Sequence, residues 1–333
     1  MPTPLGQITG ELNDVREFTN GAGATITSSQ KYTGAYSVSF TTGSAPATIA
    51  FPTQTNGIRL SAFIRPGSLY TNGAVIFRIS NQSTTLAQVI WHPTSTNLEL
   101  YVDGTLRTSV APTTVNLSTG VWAHVGMIYI PSASKVNFYV NGNLALTYTG
   151  ALSAQCDNVS FGGRNLATGG WTTCHMDDMY VDGDVIADEP PPPDRFYICG
   201  VTGPGAITQW LPQGQVDAYA CIDEATPNDD TDYIYATAAA QKATFAIADF
   251  TLPAGNSIAD VTVVALTKVA AAGPTLSFVA AAGANEQITT PQTPTTTYAY
   301  IKQVMPVAPD LNSWTEGGLN ATEFGVQSAG NFT

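Results

Sequence analysis

The sequence is poor in charge. Asp, Glu, Lys and Arg make up 11% of its 333 residues, against about a quarter in an ordinary soluble domain. Bases are scarcer still: 12 Lys and Arg stand against 25 Asp and Glu, for a net charge of −13. Nucleic acid is therefore not an expected partner, because phosphate binding draws on clustered cations, and a membrane surface is disfavoured for the same reason. No uninterrupted apolar run reaches the ~18 residues of a bilayer span. The longest stretch, "VTVVALTKVAAAG", is broken by Thr262, Thr267 and Lys268. The opening "MPTPLGQITGELNDVREF" has no basic n-region and no apolar h-region, so no secretory signal is expected in it. Cysteine is sparse as well: Cys156, Cys174, Cys199 and Cys221 form no C-x-x-C pair, which disfavours zinc. A large chain without an export signal favours free, mostly buried thiols over disulfides, with a Cys156–Cys174 or Cys199–Cys221 pair left open.

The surface must then be covered by Thr, Ser, Asn, Gln and Gly, which suit strands and turns more than helix interiors. The stretch "VNFYVNGNLALTYTG" shows the pattern. Val136, Phe138 and Val140 alternate with polar neighbours on one side of Asn141-Gly142, and Leu144, Leu146 and Tyr148 alternate on the other. Both turn residues tolerate the positive φ of a type I′ turn, so a β-hairpin is predicted. Similar short runs fill residues 1 to 188, among them "AYSVSF", "IRLSAFIRPG", "AVIFRISN", "AQVIWHP", "VWAHVGMIYI", "NVSFGG" and "CHMDDMYVDG". A hairpin centred near Ala167 is expected between the last two. Turn pairs bound most of these runs, including Asn56-Gly57, Asn72-Gly73, Asp103-Gly104 and Asp182-Gly183. No segment holds a helical period over ~10–12 residues; one short helix is expected near "DLNSWTEGGLNATEF".

Four consecutive prolines, Pro190 to Pro193, mark the clearest seam. They cannot donate to a ladder and favour an extended spacer. The fold class predicted is all-β: two antiparallel, jelly-roll-like β-sandwich domains, residues 1–188 and 195–333, joined by a proline linker at 189–194.

The first segment resembles the laminin G-like, concanavalin A-like sandwich family. The resemblance rests on "TGAYSVSF", "RLSAFIRPGS", "GVWAHVGMIYIPSASKVNFYVNGNLALTYTGAL" and "VSFGGRN…HMDDMYVDG". It implies two curved antiparallel sheets, with Trp122 and His124 serving the core and a strand edge. The second segment resembles a domain that recurs in structural proteins of tailed bacteriophages, on "VDAYACIDEATPNDDTDYIYA", "ATFAIADFTLPAGNSIADVTVVALTKVA" and "YAYIKQVMPVAPDLNSWTEGGLNATEFGV". That implies a compact β-sandwich in the virion.

Chemical motifs are thin. A glycosidase needs two carboxylates ~5–9.5 Å apart, and the only dense run is "MDDMYVDGD". Strict alternation puts Asp178 and Asp182 on one face with Tyr180 and Asp177 on the other; a polar edge strand accounts for the run, so no catalytic residue is assigned and no enzyme is expected. Asp223, Glu224, Asn228, Asp229, Asp230 and Asp232 could ligate calcium, but they lack EF-hand spacing, and an acidic Asx-turn loop capped by Pro227 explains them without metal. Asp157 and Asp177 form a weaker candidate. No metal or cofactor is assigned. Trp91, His92, Tyr101 and Trp171 are candidates to stack on sugar rings, although aromatics are also the default filling of a sandwich core. His92, His124 and His175 stand far apart with no Ser or Cys partner in a nucleophile motif. Asn-x-Ser/Thr sites at Asn81, Asn116, Asn158, Asn320 and Asn331 carry no inference without a signal.

A weakly charged, Thr/Gly-rich surface without an export address fits a virion component, assembled in a bacterial cytoplasm and released by lysis. The expected role is a non-enzymatic head or tail decoration or adhesion protein. Its expected partners are its own copies (a trimer), other capsid or tail proteins, and host-surface polysaccharide. The alternative is a secreted or cell-surface carbohydrate-binding protein.

Overall fold

The structure, a computed structural model, describes residues 3–8, 14–21, 23–41, 43–68, 73–92, 97–164, 170–224 and 227–331. It divides into two compact units, Met1–Tyr197 and Ile198–Thr333. Both are built from antiparallel strands, as the fold class predicted.

The first unit opens with β1 (Thr3–Ile8), β2 (Ala24–Thr27), β3 (Ser37–Thr41), β4 (Ala47–Gln54), β5 (Gly57–Pro66), β6 (Ala74–Asn81) and β7 (Thr84–Trp91). It continues with β8 (Leu98–Val102), β9 (Thr105–Val110), β10 (Ala123–Ile130), β11 (Lys135–Val140), β12 (Asn143–Thr149), β13 (Cys156–Phe161) and β14 (Thr173–Val185). One eight-stranded sheet runs β12-β11-β10-β5-β14-β3-β2, with β1 added on β14, and a six-stranded sheet runs β4-β13-β6-β7-β8-β9. The core lies between them. Ile58, Leu60, Ala62 and Ile64 alternate inward from β5 and meet Phe77, Val89, Val159 and Phe161 of the other sheet. Phe77 sits edge-on to both Phe138 (6.2 Å) and Phe161 (5.5 Å). Each such side chain contributes ~1.5–3 kcal/mol by leaving water.

The predicted hairpin is β11–β12: Asn141 and Gly142 take φ values of 50° and 77°, and Val136, Phe138 and Val140 all enter the core. Strict alternation fails on β14. Asp178 has φ 47°, and the register with β5 shifts between Asp177 and Tyr180. The bulge lets both Met176 and Met179 point into the core. Asp177, Tyr180 and Asp182 then share the outer face, correcting the predicted parity. β14 is also no edge strand, since β5 and β3 flank it. Nor do the strands around residue 167 form a hairpin: β13 and β14 belong to different sheets, and Ala167 itself lies outside the described residues, as does Asn72 of one expected turn. All four cysteines are free; Cys156, Cys174 and Cys221 are buried and Cys199 half-buried.

The proline run belongs to the first unit. Pro191 is buried, and a Cβ on Gly126 would fall 2.5 Å from Pro191 Cγ. Without N–H groups the prolines join no ladder, yet the run lies on the sheet as a strap, in place of the free spacer expected at 189–194.

The second unit holds β15 (Val201–Thr208), β16 (Leu211–Gln213), β17 (Tyr233–Tyr235), β18 (Lys242–Ile247), β19 (Val261–Thr267), β20 (Pro274–Ala282), β21 (Asn285–Ile288), β22 (Ala299–Met305) and β23 (Glu323–Gly330). A five-stranded sheet, β15-β18-β23-β20-β21, is accompanied by the pairs β16-β17 and β19-β22. Leu276, Phe278, Ala280, Met305, Trp314 and Phe324 form its core, with Val261, Val263, Ala265 and Ile301 of β19-β22 packed against them. The expected short helix is α1 (Glu316–Asn320), capped where Thr315 Oγ1 accepts from Gly318 N–H.

Candidate functional site: a polar sheet face beneath a strap

Three adjacent strands build the site. The outward residues of β5 are Arg59, Ser61, Phe63 and Arg65, the complement of its core-facing set. Register places Gly126 of β10 and Tyr180 of β14 on either side of Ser61. The row below holds Ile128, Arg59 and Asp182; the row above holds His124, Phe63 and Asp177. β11 adds Asn137 and Tyr139.

These polar side chains are deeply covered: Ser61 is 1% exposed, Asn137 3%, Tyr180 4% and His124 5%. Ser61 Oγ lies 2.6 Å from His124 Nε2. Burial pushes the His124 imidazole down to about 4, against a weaker opposing bond to Pro192, so the ring is neutral near pH 7. Ser61 and Tyr180 hydroxyls both donate to the Pro192 carbonyl at 3.4 Å. Arg59 pairs with Asp182 and lies 5.9 Å from the Tyr180 ring centre. Burial raises the Asp182 carboxyl and Arg59 partly offsets it. Asp194, on the strap, is likewise raised by burial, with Arg59 opposing and the Asp182 carboxylate adding to the rise.

The strap is held at both ends as well. Asp188 pairs with Lys135 and accepts from Asn137 Nδ2 (2.6 Å) and the Tyr139 hydroxyl (3.0 Å). Partial burial would raise that carboxyl, but Lys135, Tyr139 and Asn137 together hold it below its ordinary range. At the other end Phe196 N–H donates to Asp178 Oδ1 (3.1 Å), and Arg195 covers the Tyr32 ring at 5.2 Å. Tyr32 stacks on Phe63 (3.8 Å) and touches Trp122 (5.7 Å), so His124 and Trp122 belong to this outer face and not to the core. His124 also has a serine partner that sequence order hid.

The other sequence candidates scatter. Trp91 and Trp171 meet edge-on at 5.8 Å inside the core, so neither is a sugar platform. Tyr101 donates to Glu99 at 2.7 Å, burial and that bond raising it to about 12; His92 is half-buried. In the acidic loop, Asp230 pairs with Lys268 and accepts from Tyr298, and Asp232 accepts from Gln215 and Asn228. Asp223, Glu224 and Asp229 are exposed; Ala225 and Thr226 lie outside the described residues. Asp157 accepts from Gln82 and Asn158, and Asp177 from the amides of Tyr32 and Thr33. Among the described residues no group of three or more His, Cys, Asp or Glu is arranged to hold a metal.

Sequence reasoning missed Arg59 and Ser61, and named Tyr180 only as a neighbour of the acidic run. The signal was present in "GIRLSAFIRP", where the residues between the core positions include two arginines and a serine. Chemically, the face is rich in donors (Ser61, Tyr180, Asn137, Tyr139, Lys135, Arg59) facing acceptors at fixed spacing.

A two-sheet sandwich with one polar outer face is the class of protein that these elements define. The chain belongs to the concanavalin A-like lectin/glucanases superfamily, whose family model matches residues 20–189, just over half of the chain. Solved structures similar to it include the cellulose induced protein Cip1, with 12% identity, a TM-score of 0.37, and coverage of 49% of this chain and 85% of that one. A Caenorhabditis elegans galectin, LEC-6, gives 13% identity, a TM-score of 0.31, and coverage of 43% and 94%. The alginate lyase AlgAT5, of polysaccharide lyase family 7, gives 12%, 0.34, and coverage of 44% and 77%. No curated protein matches the chain. The superfamily spans glucanases as well as lectins. The expectation that the chain is no enzyme is thereby corrected. It leaned on an isolated edge strand, whereas the acidic run lies mid-sheet beside Ser61, His124 and Arg59.

Proposed function

We propose that the chain is a glycan-contacting surface protein of a tailed-bacteriophage virion, with the outer face of the eight-stranded sheet as its contact site. The observation that carries the glycan part is the donor-lined face on a member of a lectin and glucanase superfamily. The virion part is supported by the phage-type resemblance of residues 195–328 and by the weakly charged composition. In this reading the second unit docks on capsid or tail proteins and assembles copies, a trimer being the simplest arrangement that covers exposed strand edges. The ligand is a host-surface polysaccharide. Many weak sites on one particle raise avidity by orders of magnitude.

Two measurements test this. Immunogold electron microscopy should place the protein on mature particles; its absence from them would sink the virion assignment. A polysaccharide array with the full chain should show binding that Tyr180→Phe and Ser61→Ala weaken. Each positive is assayed for cleavage products too, because the superfamily spans both outcomes.

A further inference from the structure

We propose that residues 186–197 are an intramolecular mimic of a carboxylate-bearing polysaccharide, seated on the sheet face where such a chain binds and competing with it. This rests on the reading of that face as the glycan site.

Three observations carry it. First, at Asp188 and Pro192 the strap is held by donors of the sheet aimed at acceptors of the strap, the direction reversing at Phe196, whose N–H donates to Asp178, and its prolines contribute no N–H to any ladder. Lys135, Asn137 and Tyr139 grip the Asp188 carboxylate, and Ser61 and Tyr180 meet the Pro192 carbonyl. Arg59 is near enough to the Asp194 carboxyl to offset part of the rise that its burial causes. The order along the strap is therefore carboxylate, neutral acceptor, carboxylate. An extended chain of uronic-acid type offers the same order.

Second, the sheet is shaped for a close backbone. Gly126 stands mid-strand beside Ser61, and any side chain there would collide with Pro191, a Cβ lying 2.5–2.9 Å from three ring atoms. Glycine inside a strand weakens it and marks such an approach.

Third, a face covered only for packing would be better apolar. Buried polar networks and ion pairs seldom out-stabilise well-packed hydrophobes of similar size. Here Arg59, Ser61, Asn137, Tyr180 and Asp182 lie under the strap. Removing the strap also removes a net charge of −2 from the face, since Asp188, Glu189 and Asp194 leave with Arg195.

The experiment uses the full chain at ~0.15 M salt, where the screening length is about 8 Å. Alginate serves as the acidic probe and dextran as the neutral one. The double variant Asp188→Ala/Asp194→Ala loosens the strap and leaves the sheet side chains in place. Trypsin cleavage after Arg195 reports strap release directly, and circular dichroism reports the sandwich. The expected result is faster cleavage with alginate affinity at least ten-fold above the parent, and little gain for dextran. A synthetic peptide of residues 186–197 should then displace alginate, which gives a second test should the double variant unfold. Faster cleavage with unchanged alginate affinity, in a protein whose binding still depends on Tyr180, overturns the mimicry and spares the glycan site. Equal gains for both probes overturn the preference for carboxylates. Binding by neither protein overturns the glycan reading itself, and this inference with it.

Discussion

Ser61 Oγ of β5 and His124 Nε2 of β10 lie 2.6 Å apart on the outer face of the large sheet, both nearly out of reach of solvent. The burial that brings them together keeps the imidazole unprotonated, at about 4, against ~6.5 in an unfolded chain. The unfolded state therefore takes up a proton that the folded state refuses. Stability from this group is full above ~6.5 and is lost as pH falls toward 4, by ~2 kcal/mol at pH 5. His175, also lowered by burial and by Arg65, acts in the same direction; Asp182 and Asp194, raised by burial, act in the opposite one. Urea unfolding of the parent and of His124→Gln at pH 7 and pH 5 isolates the term. The gap between the two proteins should narrow or invert at pH 5, and a constant gap would count against a neutral buried imidazole.

Trp171 is fully buried against Trp91. Trp171→Ala should cost ~3–5 kcal/mol of unfolding free energy, as truncation of a large core aromatic does. A variant of parental stability that had lost only glycan binding would restore the sugar-platform reading.

Gly142 closes the β11–β12 hairpin at φ 77° with open space around its missing Cβ. The cost of Gly142→Ala is then purely conformational, ~1 kcal/mol. Urea midpoints should show it with an unchanged slope.

Gly126→Val drives a side chain into Pro191. Trypsin cleavage after Arg195 should speed up severalfold while the sandwich keeps its cooperative melt. An unchanged rate would mean that the strap shifts without letting go.

The acidic loop of the second unit already has its partners: Lys268 and Tyr298 at Asp230, Gln215 and Asn228 at Asp232. Adding millimolar calcium should leave the thermal midpoint in place. A rise of several degrees would show that the ion binds the folded state.

Much of the architecture could be read from local pattern. The Asn141-Gly142 hairpin, the alternation of β5 and the short helix after Thr315 each depend on neighbours within a few residues. The site could not be read this way, because it depends on register. Ser61 and His124 are brought together by strand pairing, and the bulge at Asp178 brings Asp177 onto the same outer face as Tyr180 and Asp182. A proline run reads as a spacer on composition alone, while its docking depends on a glycine more than sixty residues earlier. Buried and stacking tryptophans likewise look alike in sequence.

The absence of any sulfur–sulfur bond among the four thiols has a consequence for the life of the protein. Nothing in either unit must be oxidised to mature or can be unpicked by reduction, and burial pushes the Cys156 thiol up to about 12 and the Cys174 thiol well above its ordinary value, far from reactive thiolate. Neither unit therefore relies on a disulfide to hold its fold, in reducing or in oxidising surroundings.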